Sequence, residues 1–331
     1  MPQVVTLGDI NIDLIAFLPR YPAPGGDGLV ERMEVHSGGS AANTAIVLAR
    51  FGVDVGIIGR VGRDPFAGQA LARLSEAGVD LSCIQRDDSI TGLIFIAVTP
   101  DGERTMFSSR GANSRLDVAR LDEGYIAQAD VFHLSGYALL AEPQRRAAWR
   151  ALEVAHRAGV AISLDVGVEA ATKVIEEVKA LLPLVNLIFP NQAAAEHLTN
   201  SNGEKAVRVL LEHGVETVAL KLGERGCLVG NAGEIFPVPT FAVEVRDTTG
   251  AGDSFDAGFI LGRLWGLGLR ESAILANALG ALAASTAGAG DSLPGPERVQ
   301  ALLQRSMADP LWQDWRGEMG RVLSHLSRYG R

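Results

Sequence analysis

Six short runs of β-branched and other apolar residues recur along this chain, and the stretches between most of them have helical periodicity. The runs are "VVTLG" (Val4 to Gly8), "VGIIG" (Val55 to Gly59), "VFHLS" (Val131 to Ser135), "VAISLD" (Val160 to Asp165), "NLIFP" (Asn186 to Pro190) and "TVALKLG" (Thr217 to Gly223). Their nearly continuous apolar character reads as strands covered on both faces, the mark of a parallel sheet. Between them, "SAANTAIVLARFG" and "RRAAWRALEVAHRAG" end on Gly52 and Gly159, each placed to stop a helix. The alternation predicts an α/β fold with a doubly wound, mostly parallel central sheet flanked by helices, and ligands at the carboxyl ends of its strands. A chain of 331 residues has room for such a layer.

Two stretches break the rhythm. "IDLIAFLPRYPAPGGDGLVERMEVHSGG" and "TGLIFIAVTPDGERTMFSSRGAN" each hold a pair of strand-like runs joined by turn residues, with no helix between them. They predict a small antiparallel β sheet projecting from the core. The expected division is a core of residues 1–12, 37–91 and 112–308, a β lid of 13–36 and 92–111, and a C-terminal extension of 309–331 read as one amphipathic helix. A small exposed sheet leaves free edges and apolar surface, which predicts a homodimer formed through the lid.

Charge and cysteine content narrow the function. A net charge of −9 with no Lys/Arg block argues against a nucleic-acid partner and for a small ligand. Cys83 and Cys227 lack metal-ligand or CxxC spacing and read as semi-buried thiols in a reducing compartment. The N-terminus meets an acid by Asp9, and no apolar run is long enough to span a bilayer, so the expectation is a soluble cytoplasmic protein without membrane contact.

The most unusual run is "RDTTGAGDSFDAGF", Arg246 to Phe259. Gly250, Ala251 and Gly252 are small or helix-poor, while Phe255, Phe259, Ile260 and Leu261 give an apolar helical face, so a helix should begin around Gly252. Its first amides have no intrahelical acceptor and can point at an anion. No GxxxxGK[ST] motif occurs, and "GAGD" lacks the strand-GxGxxG-helix context of a dinucleotide fold, which leaves hydride transfer the weaker enzymatic reading.

Together, "GGSAANTAIVLARFG" and "DTTGAGDSFDAGFILG" resemble the two signatures of the ribokinase-like (PfkB) carbohydrate kinases. The resemblance covers about residues 3 to 305 and includes the lid position of the two hairpins. It implies ATP-dependent phosphorylation of a primary hydroxyl on a sugar or sugar derivative, with Mg²⁺ as cofactor. γ-Phosphoryl transfer needs in-line positioning, neutralised oxygen charge and a proton acceptor. Gly250, Ala251 and Gly252 would supply the anion hole and Asp253 the base. Taken alone, Asp253 reads equally well as an acid complementing a helix dipole.

The resemblance also distributes substrate roles. Asp13 would accept hydrogen bonds from sugar hydroxyls, Gly38 and Gly39 would let backbone approach the sugar, and Asn43 would offer both donor and acceptor. Arg110, with Arg104, falls on the second lid hairpin, where a pair could clamp a sugar acid's carboxylate; a solvated lid surface is the plainer reading. On the nucleotide side the implied contacts are Asn191, Lys221, Gly223, Gly226 and Asn277. Many relatives carry Asn-x-x-Glu where this chain has Asn191 followed by Ala194, and Glu196 should point away from the vacated position. Asp247, Thr249 and the loop around Ala287 to Ser292, Ser292 included, would form a monovalent-cation site with K⁺ as activator. A nucleoside kinase is the alternative within the family, and a sugar-binding regulator without catalysis the alternative outside enzymes.

Overall fold

The computed structural model describes residues 1–101, 103–286 and 293–327. Its strands are β1 (Val4–Leu7), β2 (Asn11–Phe17), β3 (Arg32–Gly38), β4 (Val55–Gly62), β5 (Ile84–Asp87), β6 (Gly92–Val98), β7 (Arg104–Ser109), β8 (Val131–Ser135), β9 (Ala161–Val166), β10 (Leu187–Pro190), β11 (Thr217–Lys221), β12 (Cys227–Asn231) and β13 (Ile235–Val238). The main sheet runs β13-β12-β11-β10-β9-β8-β1-β4-β5. From β5 to β11 every pairing is parallel, and β12 and β13 add an antiparallel edge. All six apolar runs are strands of this sheet.

Two apolar clusters cover its faces. One gathers the helices Ser40–Arg50, Ala251–Leu264 and Leu269–Ala284; the other is built on the helix Gln144–Ala158 and its neighbours. β1 lies between β4 and β8, so the chain winds away in both directions from that point, and a crevice opens at the carboxyl ends of these strands. Gly159 adopts a left-handed conformation (φ 74°) and ends its helix as expected.

The second sheet has the order β3-β2-β6-β7. Each hairpin is antiparallel, Asn11 opposite Gly38 and Leu93 opposite Ser109, and the two hairpins join through a parallel β2–β6 pairing that sets Asn11 opposite Gly92. The predicted antiparallel lid therefore has a parallel seam, because its two hairpins come from distant segments entering side by side from the core.

The C-terminal segment departs from the single helix expected. A 3₁₀ turn, Pro310–Trp315, precedes the helix Arg316–Leu326, and Trp312, Met319, Val322 and Leu326 are buried in the core cluster. Pro310 and the Asp309 side chain, which accepts from the Leu311 amide, shape the tighter turn. Among the described residues no helix is long and apolar enough to cross a membrane.

Candidate active site

The helix Ala251–Leu264 starts one residue earlier than the sequence predicted, with Gly250 as its N-cap in a left-handed conformation (φ 75°) that a side chain would strain. The Ala251 amide turns back to the Thr248 carbonyl, and that of Ser254 donates to Gly250. The Gly252 and Asp253 amides have no acceptor among the described residues. Two donors thus converge at a helix N-terminus, an arrangement suited to an anion.

Asp253 stands in that first turn, partly exposed to a cavity. Its Oδ2 accepts from Asn43 Nδ2 at 2.7 Å, and Thr44 Oγ1 reaches its carbonyl at 3.4 Å. The helix Ser40–Arg50 therefore positions the acid. Desolvation, reinforced by the negative charge of Asp165, raises its pKa to about 6 against the opposing pull of Asn43, Ser40 and Lys221.

Behind it lies a buried charge cluster. Lys221 Nζ, at the end of β11, is 2.8 Å from Asp165 Oδ1 and 3.0 Å from Asp256 Oδ1. Burial opposes the ammonium charge, but the two carboxylates outweigh it and hold the Lys221 pKa above the ordinary lysine value. Burial also pushes Asp256 well above the usual carboxylate range, whereas Asp165 is held below it, the lysine prevailing over burial. Lys221, expected as a nucleotide contact, borders the cavity with its ammonium committed to carboxylates.

At the lid end, Asp13 on β2 is 4% exposed, and its Oδ1 has no hydrogen-bond partner among the described residues. Asn43 Oδ1 is likewise buried and unpartnered. Burial raises the Asp13 pKa to about 7, partly offset by His36 and reinforced by Asp253 and Asp247. Gly38 and Gly39 are required beside them. A Cβ on Gly38 would lie 2.4 Å from Asp13 Oδ2, and Gly39 (φ 109°) would place one 2.2 Å from the Asp9 carbonyl oxygen.

The arginine pair does not converge on this space. Arg110 donates to both oxygens of Asp9, at 2.9 and 2.7 Å, and to Gln144, which itself donates to Asp9. Arg110 thus grips a buried carboxylate at the base of the lid through Nε and Nη2, while its Nη1 is buried without a hydrogen-bond partner among the described residues. Arg104 reaches from β7 to Asp247 Oδ1 at 2.7 Å and Thr249 Oγ1 at 2.8 Å, so two expected cation ligands face a guanidinium. Ser292 lies outside the described residues.

A cavity of about 730 Å³ extends from Asp253. Its lining brings together Asn191, Lys221, Gly223, Gly226, Gly252 and Asn277. Asn277 Nδ2 donates to the Val238 and Pro239 carbonyls, fastening the helix Leu269–Ala284 to the segment after β13. Asn191 caps the helix Gln192–Thr199 by accepting from the Ala194 amide at 2.8 Å, while Ala194 is fully buried and Glu196 exposed. Among the described residues no three His, Cys, Asp or Glu side chains are grouped to hold a metal.

Sequence reasoning missed Ser40, Asp165, Asp256 and the Thr240–Val245 wall. Asp165 had a readable signal, an acid at the carboxyl end of a parallel strand, and Asp256 lies one helical turn beyond Asp253.

Comparison with known proteins agrees with this architecture. The model of the pfkB family carbohydrate kinases matches residues 1–296. The chain is 29% identical to the ribokinase of Haemophilus influenzae over 92% of its own length and 99% of that protein. It is 32% identical to the ATP-dependent ribose-1-phosphate kinase of Halopiger xanaduensis over 92% of this chain and 98% of that one. Among solved structures, an E. coli protein provisionally assigned as a ribokinase II, in complex with ATP and Mg²⁺, superimposes with a TM-score of 0.83 at 27% identity, covering 92% of this chain and all of that one. With the signature helix starts, the two-sheet architecture and the match along nearly its whole length, the chain belongs to the pfkB family of carbohydrate kinases.

Proposed function

We propose that this protein transfers the γ-phosphoryl group of ATP to a primary hydroxyl of a sugar or sugar derivative, with Asp253 as general base. The observation that carries this is the pair of buried, unpartnered acceptor oxygens on Asp13 and Asn43, beside an acid that borders the large cavity. Buried acceptors without donors are costly, and a polyhydroxyl ligand supplies donors. Asn43 touches both parts of the site: its amide NH₂ holds Asp253 while its oxygen remains for substrate.

ATP fits the other half of the site. The cavity falls within the ordinary range for small-ligand sites, with the free Gly252 and Asp253 amides at its inner end to receive phosphate oxygens. Mg²⁺ commonly keeps several waters and binds through substrate phosphates, so it would need few protein ligands here. Asn191 and Asp165 line the cavity and could meet that hydrated ion. Asp253 would take the hydroxyl proton as the oxygen attacks, and the helix-start amides would stabilise charge on the transferring group.

The test is ADP release across pentoses, hexoses, keto-sugar acids and nucleosides, with MgATP. A preferred sugar whose phosphorylation collapses in Asp253→Asn supports the proposal. A nucleoside preference would favour the sister activity, and sugar binding without ADP release would overturn catalysis.

A further inference from the structure

The C-terminal segment lies beyond residues 1–296 matched by the family model, yet it reaches the wall of the large cavity. Trp312 is 1% exposed and stacks on Phe241 with ring centroids 4.1 Å apart and planes 13° from parallel. Phe241 lines the cavity, as do its neighbours Thr240, Ala242 and Val243. Farther along the tail, Met319, Val322 and Leu326 join the core cluster that includes the helix Leu269–Ala284. That same helix presents Asn277, Gly280 and Ala281 to the cavity. Arg321 Nε is 2.5 Å from Glu271 Oε1 in its first turn, and His325 stacks on Trp265 at 5.9 Å. The tail therefore grips the outer side of the two elements whose inner sides form the wall, and Asn277 ties those elements to each other.

We infer that Trp312 is a positioning residue for the nucleotide: by stacking on Phe241 it sets the cavity wall against which the base of ATP rests. This rests on the proposed use of the cavity for ATP. A stacked aromatic pair attracts beyond its buried area, so the contact holds Phe241 and the backbone beside it against the tail and in register with Asn277. Trp312 stands behind Phe241 in the core and is not among the residues that line the cavity, so its loss should be felt in nucleotide affinity and not in the chemical step.

The experiment compares Trp312→Phe, which keeps the stack, with Trp312→Leu, which keeps apolar bulk without it, and with Met319→Ala, which weakens the same tail away from Phe241. For each, KM for ATP, KM for sugar, kcat, direct MgADP affinity and thermal midpoint are measured. Trp312→Leu should weaken ATP and ADP binding about three- to tenfold, the scale of a lost aromatic pair. Its sugar KM and kcat should stay near wild type, with Trp312→Phe close to wild type throughout. Met319→Ala should lower the midpoint and leave nucleotide affinity unchanged. Equal nucleotide affinity in Trp312→Leu, or equal weakening in Met319→Ala, would overturn the inference. Should Trp312→Leu fail to fold, amide exchange on the wild type decides: residues 309–327 should exchange more slowly with MgADP, and unchanged exchange sinks the idea. A wild type that binds no MgADP would instead remove the ATP reading on which the inference stands.

Discussion

Asp253 and Asp13 are two acids of one site whose surroundings push them toward neutral pH, to about 6 and about 7 respectively. As the proposed base Asp253 would act only when ionised, so turnover should rise with pH through about 6 and level off above it. Asp253→Asn should lower turnover by roughly 10² to 10⁴ and abolish that limb. Stability should move the other way. A carboxyl whose folded pKa lies above its ordinary 3.8 contributes most below that value, and its contribution is lost as pH rises through about 6. The asparagine variant escapes this loss, so its melting temperature should exceed wild type at pH 8, with the gap closing toward pH 4. A lower midpoint at pH 8 with near-normal turnover would mark Asp253 as structural. Asp13 leads to a separate expectation. If its carboxylate accepts sugar hydroxyls, KM for sugar should worsen as pH falls through about 7, while KM for ATP stays flat; Asp13→Asn should remove the pH dependence and raise the sugar KM.

The ends of β9 and β11 and the first turns of the helix Ala251–Leu264 are held together by one cation, Lys221, with Asp165 and Asp256. Removing the lysine strands an ionised carboxylate, so Lys221→Met should cost about 3–5 kcal/mol of stability. Asp256→Asn should cost much less, since burial already drives that carboxyl toward its neutral form. Chemical denaturation of both variants checks the order, and equal losses would contradict it. This knot also marks how far the sequence could be read. Buried parallel strands announce themselves as apolar runs, and the glycines ahead of Asp253 announce a bare helix start, so both were legible. The partners of Lys221 lie 56 and 35 residues away, and those of Arg110 lie 101 and 34, distances at which no local pattern speaks. β5, β12 and β13 were missed for a different reason: the edge strands β5 (IQRD) and β13 (IFPV) are interrupted by polar residues or proline, and β12 (CLVGN), beside β13, runs out into Gly-Asn, so none reads as the covered apolar run that marks the interior strands. Trp312 falls within the tail read as one amphipathic helix, and nothing local marked it, because stacking on Phe241 exists only once the tail has folded back.

At the scale of the molecule, the two sheets differ in how they meet solvent. The large sheet is covered on both faces, whereas the outer strands of the lid, β3 and β7, are edges in the order β3-β2-β6-β7. Met33 and Met106 are each 53% exposed, Phe107 is 52% exposed and Val35 40% exposed on those strands. An edge strand with apolar side chains and unpaired backbone groups favours association, and charge on it is the usual protection. Arg32 and Glu34 supply some charge on β3, but they pair with each other at 2.9 Å. We therefore expect a dimer formed lid to lid, which would also cover the sugar end of each site with the neighbouring subunit. Light scattering at micromolar concentration should give twice the mass of 35.0 kDa. Phe107→Glu should shift the population toward monomer and raise KM for sugar more than KM for ATP, because the lid is nearer to Asp13 than to the nucleotide cavity. A wild type that is monomeric at that concentration, or a Phe107→Glu variant that keeps the dimer mass, would place the contact elsewhere or remove it.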